Sequence, residues 1–460
     1  MASDGAPAIR EPRIYFGQAP ESYVIVKTST PEFDYPKGKD NVYGFYDGAD
    51  GVSVGGGASK LLFAWYFGDI DILLSRYLTD ESRILIRRRL QDRVRTLAPF
   101  LLLDQDPYVV IHEGRLYWIQ DAYTTSSWFP YAQPVSVAGG INYLRNSVKT
   151  VVDAYNGTVD FYVADPSDPI VATYRRIFPD LFKPFEAMPP GLQRHVRYPE
   201  DLFYIQADIY RAYHMSDPEV FYNREDLWQF PRQPTGLDQV GGGDRMSPYY
   251  VIMRLPGETQ AQFFLLAPMV PNKRENMIAL LAARCDWPDY GGLLAYDFPK
   301  DKLVYGPFQI EARINQNTEI SQQISLWNQM GSRVIRGNLL VIPIENSILY
   351  VSPLYLRAEA GQLPELKRVI AAYGDRVVMK ETLAEALAAL FEEETRQAQS
   401  SSAPAAPAPQ SAGEDRAREA LRYYDRAMGR LKAGDWGGFG ADLDAMRKIL
   451  EQMGRRRNER

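Results

Sequence analysis

Cysteine and histidine are scarce in this chain, which has one cysteine, Cys285, and three histidines, His112, His195 and His214, among 460 residues. A lone cysteine excludes an internal disulfide and a cysteine-held metal cluster. No two histidines have the i, i+4 spacing that sets two imidazoles on one helix face, so no helical zinc motif is present. Long apolar runs are missing too. LLFAWYF at 61–67 and FFLLAPMV at 263–270 fall well short of the roughly 18 residues a membrane helix requires. The opening MASDGAPAIREPRIYFG lacks the apolar core of a secretory signal. The chain as given is therefore expected to be soluble and to carry no export signal. Positive charge is not in excess: the net charge is −6, which provides no global field for nucleic acid and excludes it as an expected partner.

Aromatic residues, by contrast, are plentiful, with 30 Tyr, 20 Phe and 7 Trp in a chain that is 45% apolar. That is enough to bury a large core. Many tyrosines suit half-buried β surface, and also amphipathic surfaces that take sugars or other proteins.

The stretch 104–164 organises the rest. YVVI and RLYWI flank His112-Glu113-Gly114 and predict a hairpin with Gly114 at a positive φ. SVKTVVDAYNGTVDFYVA alternates on both sides of Asn156-Gly157 and predicts a second hairpin with a type I′ turn. Between them, Asp121, Tyr123, Thr124, Thr125, Trp128 and Tyr131 read as a polar and aromatic loop.

Upstream, RIYFG and SYVIVKT read as strands joined by a turn at Gly17 to Pro20, and a helix is expected from about Ala58. The run 82–97, SRILIRRRLQDRVRTL, spaces Ile86, Leu90, Val94 and Leu97 as one helix face with Ser82 as its cap and arginines opposite. DPIVATYRRIF and PEDLFYIQADIYRAYH predict helices opened by an acid beside a proline. Residues 248–299 are strand-rich, a helix follows at about 320–330, and RVIRGNLLVIPI pairs with SILYVSPLYLR. PELKRVIAAYG, DRVVMK and TLAEALAALFEEE then read as helix, strand and helix.

Such irregular alternation predicts an α+β fold, a large mixed domain with several antiparallel hairpins and packed helices plus a C-terminal helical hairpin. The expected divisions are a disordered 1–10, the α+β domain 11–395, a Ser/Ala/Pro-rich linker 396–413 and the helical hairpin 414–460. The hairpin is too small to stand alone and is expected to dock its apolar face on the main domain.

Two motifs resemble catalytic signatures without their context. Gly51-Val52-Ser53-Val54-Gly55 matches a nucleophile elbow, but Asp47, Gly48, Ala49 and Asp50 replace the apolar strand that must precede it. The glycines before Lys60 lack the ending of a phosphate loop. Candidate ligand-binding residues are Asp104, Asp106, Asp121, Tyr123, Arg145, Asn146 and Lys149, grouped around the two hairpins. The alternative is a hydrolase that uses Asp104 and Asp121 as acid and base. A calcium-stabilised module built on Asp104 and Asp106 lacks EF-hand spacing. No cofactor or metal is specified.

FDYP, APFLLLDQDPY, GRLYWIQDAYTTS, NYLRNSVKTVVDAYNGTVDFYV, RHVRYPEDLF, INQNTEISQQISLWNQMGS and VIRGNLLVIPIENSILYVSPLYL together resemble the soluble part of bacterial Uncharacterised Protein Family 0182, over about residues 11–390. The C-terminal hairpin resembles the family's usual end. The resemblance implies a domain on the extracytoplasmic side of the bacterial cell membrane, tethered by transmembrane helices that this chain lacks, as a shortened form or a split gene would. It implies the membrane and an envelope protein or glycan as partners, and it transfers no activity. The expected function is thus non-enzymatic binding of a ligand or partner at the cell envelope, with the envelope-polymer hydrolase as alternative.

Overall fold

The computed structural model describes residues 8–19, 22–135, 140–233, 244–299, 303–329, 331–344, 347–358, 363–400, 412–432 and 435–458. It is an α+β protein whose contacts divide its described residues into an N-terminal unit, up to Leu202, and a C-terminal unit from Phe203 onward.

In the N-terminal unit the run 82–97 is not one helix. β1 (Val24–Val26), the hairpin β2 (Glu32–Lys37) and β3 (Asp40–Gly44), and β4 (Val52–Ser53) precede the helices α1 (Gly57–Phe67) and α2 (Asp71–Leu74). β5 (Arg83–Leu85) then pairs with both β1 and β4, and α3 begins only at Leu90 and ends at Leu97. Arg87, at φ 50°, breaks the run between them. Ile84 and Leu85 are fully buried, so burial in a sheet overrides the helical spacing. Ser82, the expected cap, instead accepts from the amide of Thr79 at 2.8 Å and donates to the carbonyl of Lys27 at 3.0 Å. RIYFG forms no strand: Tyr15 and Phe16 lie in a bend, their amides both donate to the Ala154 carbonyl at 2.9 Å, and Gly17 makes an isolated bridge with Arg89.

β6 (Leu102–Leu103), β7 (Tyr108–His112), β8 (Arg115–Ser126), β9 (Tyr143–Asp153), β10 (Val159–Val163) and β11 (Phe182–Pro184) form the main sheet, in the order β11-β10-β9-β8-β6 with β7 also on β8. Both expected hairpins are present. The second is longer than a type I′ turn: Val152 pairs with Val159, and the Asp153 carboxylate accepts the amides of Tyr155 and Asn156 at 2.8 and 2.9 Å. Gly157 has φ 71°, and a Cβ there would lie 2.7 Å from the ring of Phe16. Asp121, Tyr123, Thr124 and Thr125 are not in a loop but inside β8, which continues to Ser126. One face of the sheet packs Ala122, Val148, Val152 and Phe161 against Leu90 and Val94 of α3 and Val171 of α4 (Pro169–Ile177). The short α5 (Pro190–Gln193) and α6 (Glu200–Tyr213) follow, and the division between units falls inside α6.

The C-terminal unit continues with α7 (Pro218–Asn223) and the short strands β12 (Trp228–Gln229), β13 (Arg232–Gln233) and β14 (Asp244–Arg245). β15 (Tyr249–Met253), β16 (Gln262–Pro271), β17 (Ala279–Arg284) and β18 (Leu293–Asp297) form an antiparallel sheet. α8 (Pro307–Gln316) and α9 (Thr318–Gln329) lead to a second sheet of β19 (Ser332–Arg336), β20 (Leu340–Ile344), β21 (Ser347–Ala358), β22 (Glu365–Tyr373) and β23 (Arg376–Lys380). Leu266, Leu280, Ile310, Ile324, Tyr350 and Ile370 share one core. β22 corrects the helix read from PELKRVIAAYG. Its Ile370 and Ala372 enter that core, while Val369 and Ala371 meet Ala386 and Leu390 of α10 (Leu383–Ser400). A strand covered on both faces reads as a continuous apolar run, which spacing alone does not distinguish from a helix.

α11 (Ala412–Lys432) and α12 (Trp436–Asn458) form the C-terminal hairpin. Arg254 reaches Asp444 of α12 at 2.5 Å, which ties the hairpin to the strand-rich part of the same unit. Residues 396–400 of the expected linker belong to α10, and 401–411 lie outside the described residues. Among the described residues no helix is long and apolar enough to cross a membrane.

Candidate functional site

The register of β8 on β9 sets Asp121 directly opposite Lys149 and Ala122 opposite Val148. Alternation along the strands sends Ala122 and Val148 into the apolar face described above and the charged pair to the other face. There the Lys149 ammonium binds Asp121 Oδ1 and donates to the Arg197 carbonyl at 3.1 Å, and Asn146 Nδ2 donates to the same Asp121 oxygen at 3.1 Å. Both charged side chains are buried. A buried pair of this kind holds register more than it adds stability, because desolvation offsets most of the attraction.

Asp104 stands at the end of β6. Its carboxylate accepts the Tyr123 hydroxyl and, at 2.9 Å, the amide of Asp106, while its carbonyl accepts Gln120 Nε2 at 2.8 Å. Burial pushes the Asp104 carboxyl up to about 6; the Tyr123 and Asp106 hydrogen bonds oppose the shift, and Asp201 and Asp121 add to it. Glu200, at the start of α6, is pushed up to about 7 by burial, with Asp106 and Asp104 adding and Arg197 opposing.

Five of the seven expected residues, Asp104, Asp121, Tyr123, Asn146 and Lys149, thus meet in one interior network. Two stand apart. Asp106 pairs at the surface with Arg197 at 2.5 Å, and Arg145 pairs with Asp165 at 3.1 Å.

Sequence reasoning missed a second buried carboxylate. Asp168 caps α4, accepting the amides of Ile170 and Val171 at 3.0 and 3.4 Å, and also receives Thr124 at 2.5 Å, Ser147 at 2.6 Å and Tyr143 at 2.7 Å. Burial alone raises a carboxyl, but the Ser147, Thr124 and Tyr143 hydroxyls outweigh it and hold Asp168 below its ordinary value. Asp168-Pro169 ahead of an apolar helical pattern signals the cap; nothing local signals the three hydroxyls.

A groove of about 840 Å³ lies elsewhere on this unit, lined by Arg13, Ile14, Tyr15, Glu32, Phe33, Asp34, Tyr35 and Arg88 among others. Its floor is fixed: Tyr15 donates to Glu32 at 2.5 Å, and Arg13 is paired to Glu11 and donates to the Phe45 carbonyl at 3.1 Å. Its rim is aromatic, with Phe33 57% and Tyr35 46% exposed. Among the described residues, no group of three or more His, Cys, Asp or Glu is placed to hold a metal ion.

Fold and sites define a two-unit α+β protein with buried polar networks and an open aromatic groove. The chain belongs to the Uncharacterised protein family (UPF0182), which matches residues 1–327. It is 69% identical over 453 residues to a UPF0182 protein of Cupriavidus necator, covering 98% of this chain and 49% of the relative. It is 66% identical over 459 residues to one of Bradyrhizobium diazoefficiens, covering 100% and 49%, and 50% identical to one of Sulfurovum, covering 97% and 49%. The chain therefore spans about half the length of the curated relatives it matches. No solved structure matches it.

Proposed function

We propose that the chain is a non-enzymatic binding domain on the extracytoplasmic side of a bacterial cell-envelope membrane protein. In this reading the groove beside β2 and β3 receives the ligand, and the interior network of Asp104, Asp121, Tyr123, Asn146 and Lys149 holds the sheet that supports it. The supporting observation is the groove itself: exposed Phe33 and Tyr35 stand beside Arg13, Glu32 and Asp34 over a hydrogen-bonded floor. Aromatic faces beside a few fixed polar groups suit the alternating apolar and hydroxylated faces of a glycan. The hydrolase alternative is less well supported, because Asp104 and Asp121 are both enclosed and bonded to Tyr123 and Lys149, out of reach of a polymer.

Calorimetric titration of the full chain with soluble peptidoglycan fragments tests the proposal. Binding is expected, and Phe33→Ala with Tyr35→Ala should weaken it at least about tenfold, since two exposed aromatic contacts carry it. Binding unchanged in that variant would exclude the groove. Release of new reducing ends from the fragments would replace a binding domain with a hydrolase.

A further inference from the structure

α1 and α2 reverse the usual polarity of a surface. The inner side of α1, Phe63, Ala64 and Phe67, packs with Ile72 of α2 over Val54 and Ile84 of the small sheet. Its outer side carries no charge to balance that burial. Leu61, Leu62, Trp65 and Tyr66 are all exposed, Trp65 by 79%, and Leu74 of α2 and Tyr77 past it are exposed too, with the charged Asp71 and Arg76 exposed alongside them. Contiguous exposed apolar surface of this kind marks a site that something covers.

What covers it is indicated at the C-terminal end of α1. There Tyr23 and Phe67 wall a cavity of about 170 Å³ that also takes in Arg87, Arg88, Arg89 and Asp92. Arg87 donates to Thr96 Oγ1 at 2.6 Å, and Arg88 donates to the carbonyls of Tyr15 and Ser22 at 2.8 and 3.4 Å. Among the described residues, none of the three arginines pairs with a carboxylate. Asp69, just past the helix, is occupied by the hydroxyl of Tyr23 and the amide of Asp71. The cavity therefore presents three guanidinium groups against one carboxylate, Asp92, which pairs with none of them, beside an apolar, Trp- and Tyr-bearing face.

We infer that the α1–α2 face of the N-terminal unit docks on an anionic lipid bilayer, with Leu61, Leu62, Trp65 and Tyr66 entering the interface and the Arg87–Arg89 cavity taking lipid phosphate. The two halves of the site match the two layers of a membrane surface. Trp and Tyr partition to the boundary between headgroup and acyl chain, and arginines bind phosphate through a fork of donors that lysine lacks. A protein partner would supply carboxylates to the arginines and a polar rim around an apolar centre; here the polar atoms of the face are the single ones that Trp65 and Tyr66 carry at the tips of apolar rings, the arrangement that suits the boundary between headgroup and acyl chain. Arg88 also lines the groove, but the residues that define this face, Leu61, Leu62, Trp65 and Tyr66, do not.

Co-sedimentation of the full chain with phosphatidylcholine vesicles, and with vesicles that also contain phosphatidylglycerol, tests it. Stronger association with the anionic vesicles is expected. Leu62→Ser with Trp65→Ser should weaken association with both vesicle types by about tenfold or more, and since both side chains are exposed the fold is retained. Arg87→Gln with Arg89→Gln should remove only the anionic preference, a loss of roughly tenfold to thirtyfold at low salt. Phe33→Ala with Tyr35→Ala should leave vesicle association unchanged, so failure of the groove reading and failure of this one are seen separately. No association with either vesicle, association insensitive to the Leu62/Trp65 variant, or self-association without lipid that this variant abolishes would each overturn the inference.

Discussion

Asp104 and Asp168 are both buried on the same sheet, yet their carboxyls move in opposite directions, Asp104 up to about 6 and Asp168 below its ordinary value. Burial is the largest influence on each and raises both. Donor supply separates them. Asp168 receives three hydroxyls and two amides at the start of α4, so its charge is dispersed over five hydrogen bonds and meets the positive end of a helix. Asp104 receives one hydroxyl and one amide, and faces Asp201 and Asp121. Two carboxylates with little exposed surface thus become a fixed anion at one corner, where donors outweigh desolvation, and a group titrating at about 6 at the other, where desolvation outweighs donors.

The strongest test of this contrast acts on the pair between the two corners. Lys149→Met keeps the volume and removes the cation, leaving Asp121 buried with its hydrogen bond from Asn146. Loss of about 3 to 5 kcal/mol is expected by chemical denaturation. A loss below about 1 kcal/mol would show that the interior network is wet and that its burial does not govern its charges.

Asp104→Asn acts next, through pH. A carboxyl raised from 3.8 to about 6 keeps its proton in the native state after the unfolded chain has released it. The native state then binds more protons than the unfolded state, so stability is fully present below about 4 and falls as pH rises through about 6. The decline is on the order of 3 kcal/mol for such a shift. Glu200, raised to about 7, extends it toward neutrality. Asp104→Asn should flatten the lower part of this decline in a series of melting points against pH and leave the part near 7. An unaltered slope would assign the whole decline to Glu200.

Much of this corner was visible in the sequence as composition and little of it as geometry. The two hairpins follow from alternation around His112-Glu113-Gly114 and Asn156-Gly157, and five of the seven residues grouped around them share the interior network. Their burial was not visible, because Asp121 lies opposite Lys149 only through a register set by the loop between β8 and β9 and by the irregularity between Ala122 and Thr124. A one-residue slip would send Asp121 to the other face. The groove rests on Arg13, Tyr15 and Glu32, which no local pattern links. The helix α1 was legible around LLFAWYF but its exposed face was not, since spacing gives a helix's apolar extent and not how much of it a neighbour covers.

Thr124→Val has the smallest expected effect and makes the sharpest comparison, because it removes one donor from Asp168 while keeping the side chain's shape. Asp168 stabilises the native state above the ordinary carboxyl range and loses that contribution as pH falls through its lowered value. With Thr124 Oγ1 gone, Ser147 and Tyr143 remain at 2.6 and 2.7 Å, so the carboxyl stays ionised at neutral pH at a cost of about 1 to 2 kcal/mol. Its folded value should rise toward the ordinary one, which moves the acid limb of the stability curve to higher pH. An acid limb that stays in place would mean that the helix start, rather than the number of hydroxyl donors, holds Asp168 down. The contrast with Asp104 would then come from α4 alone.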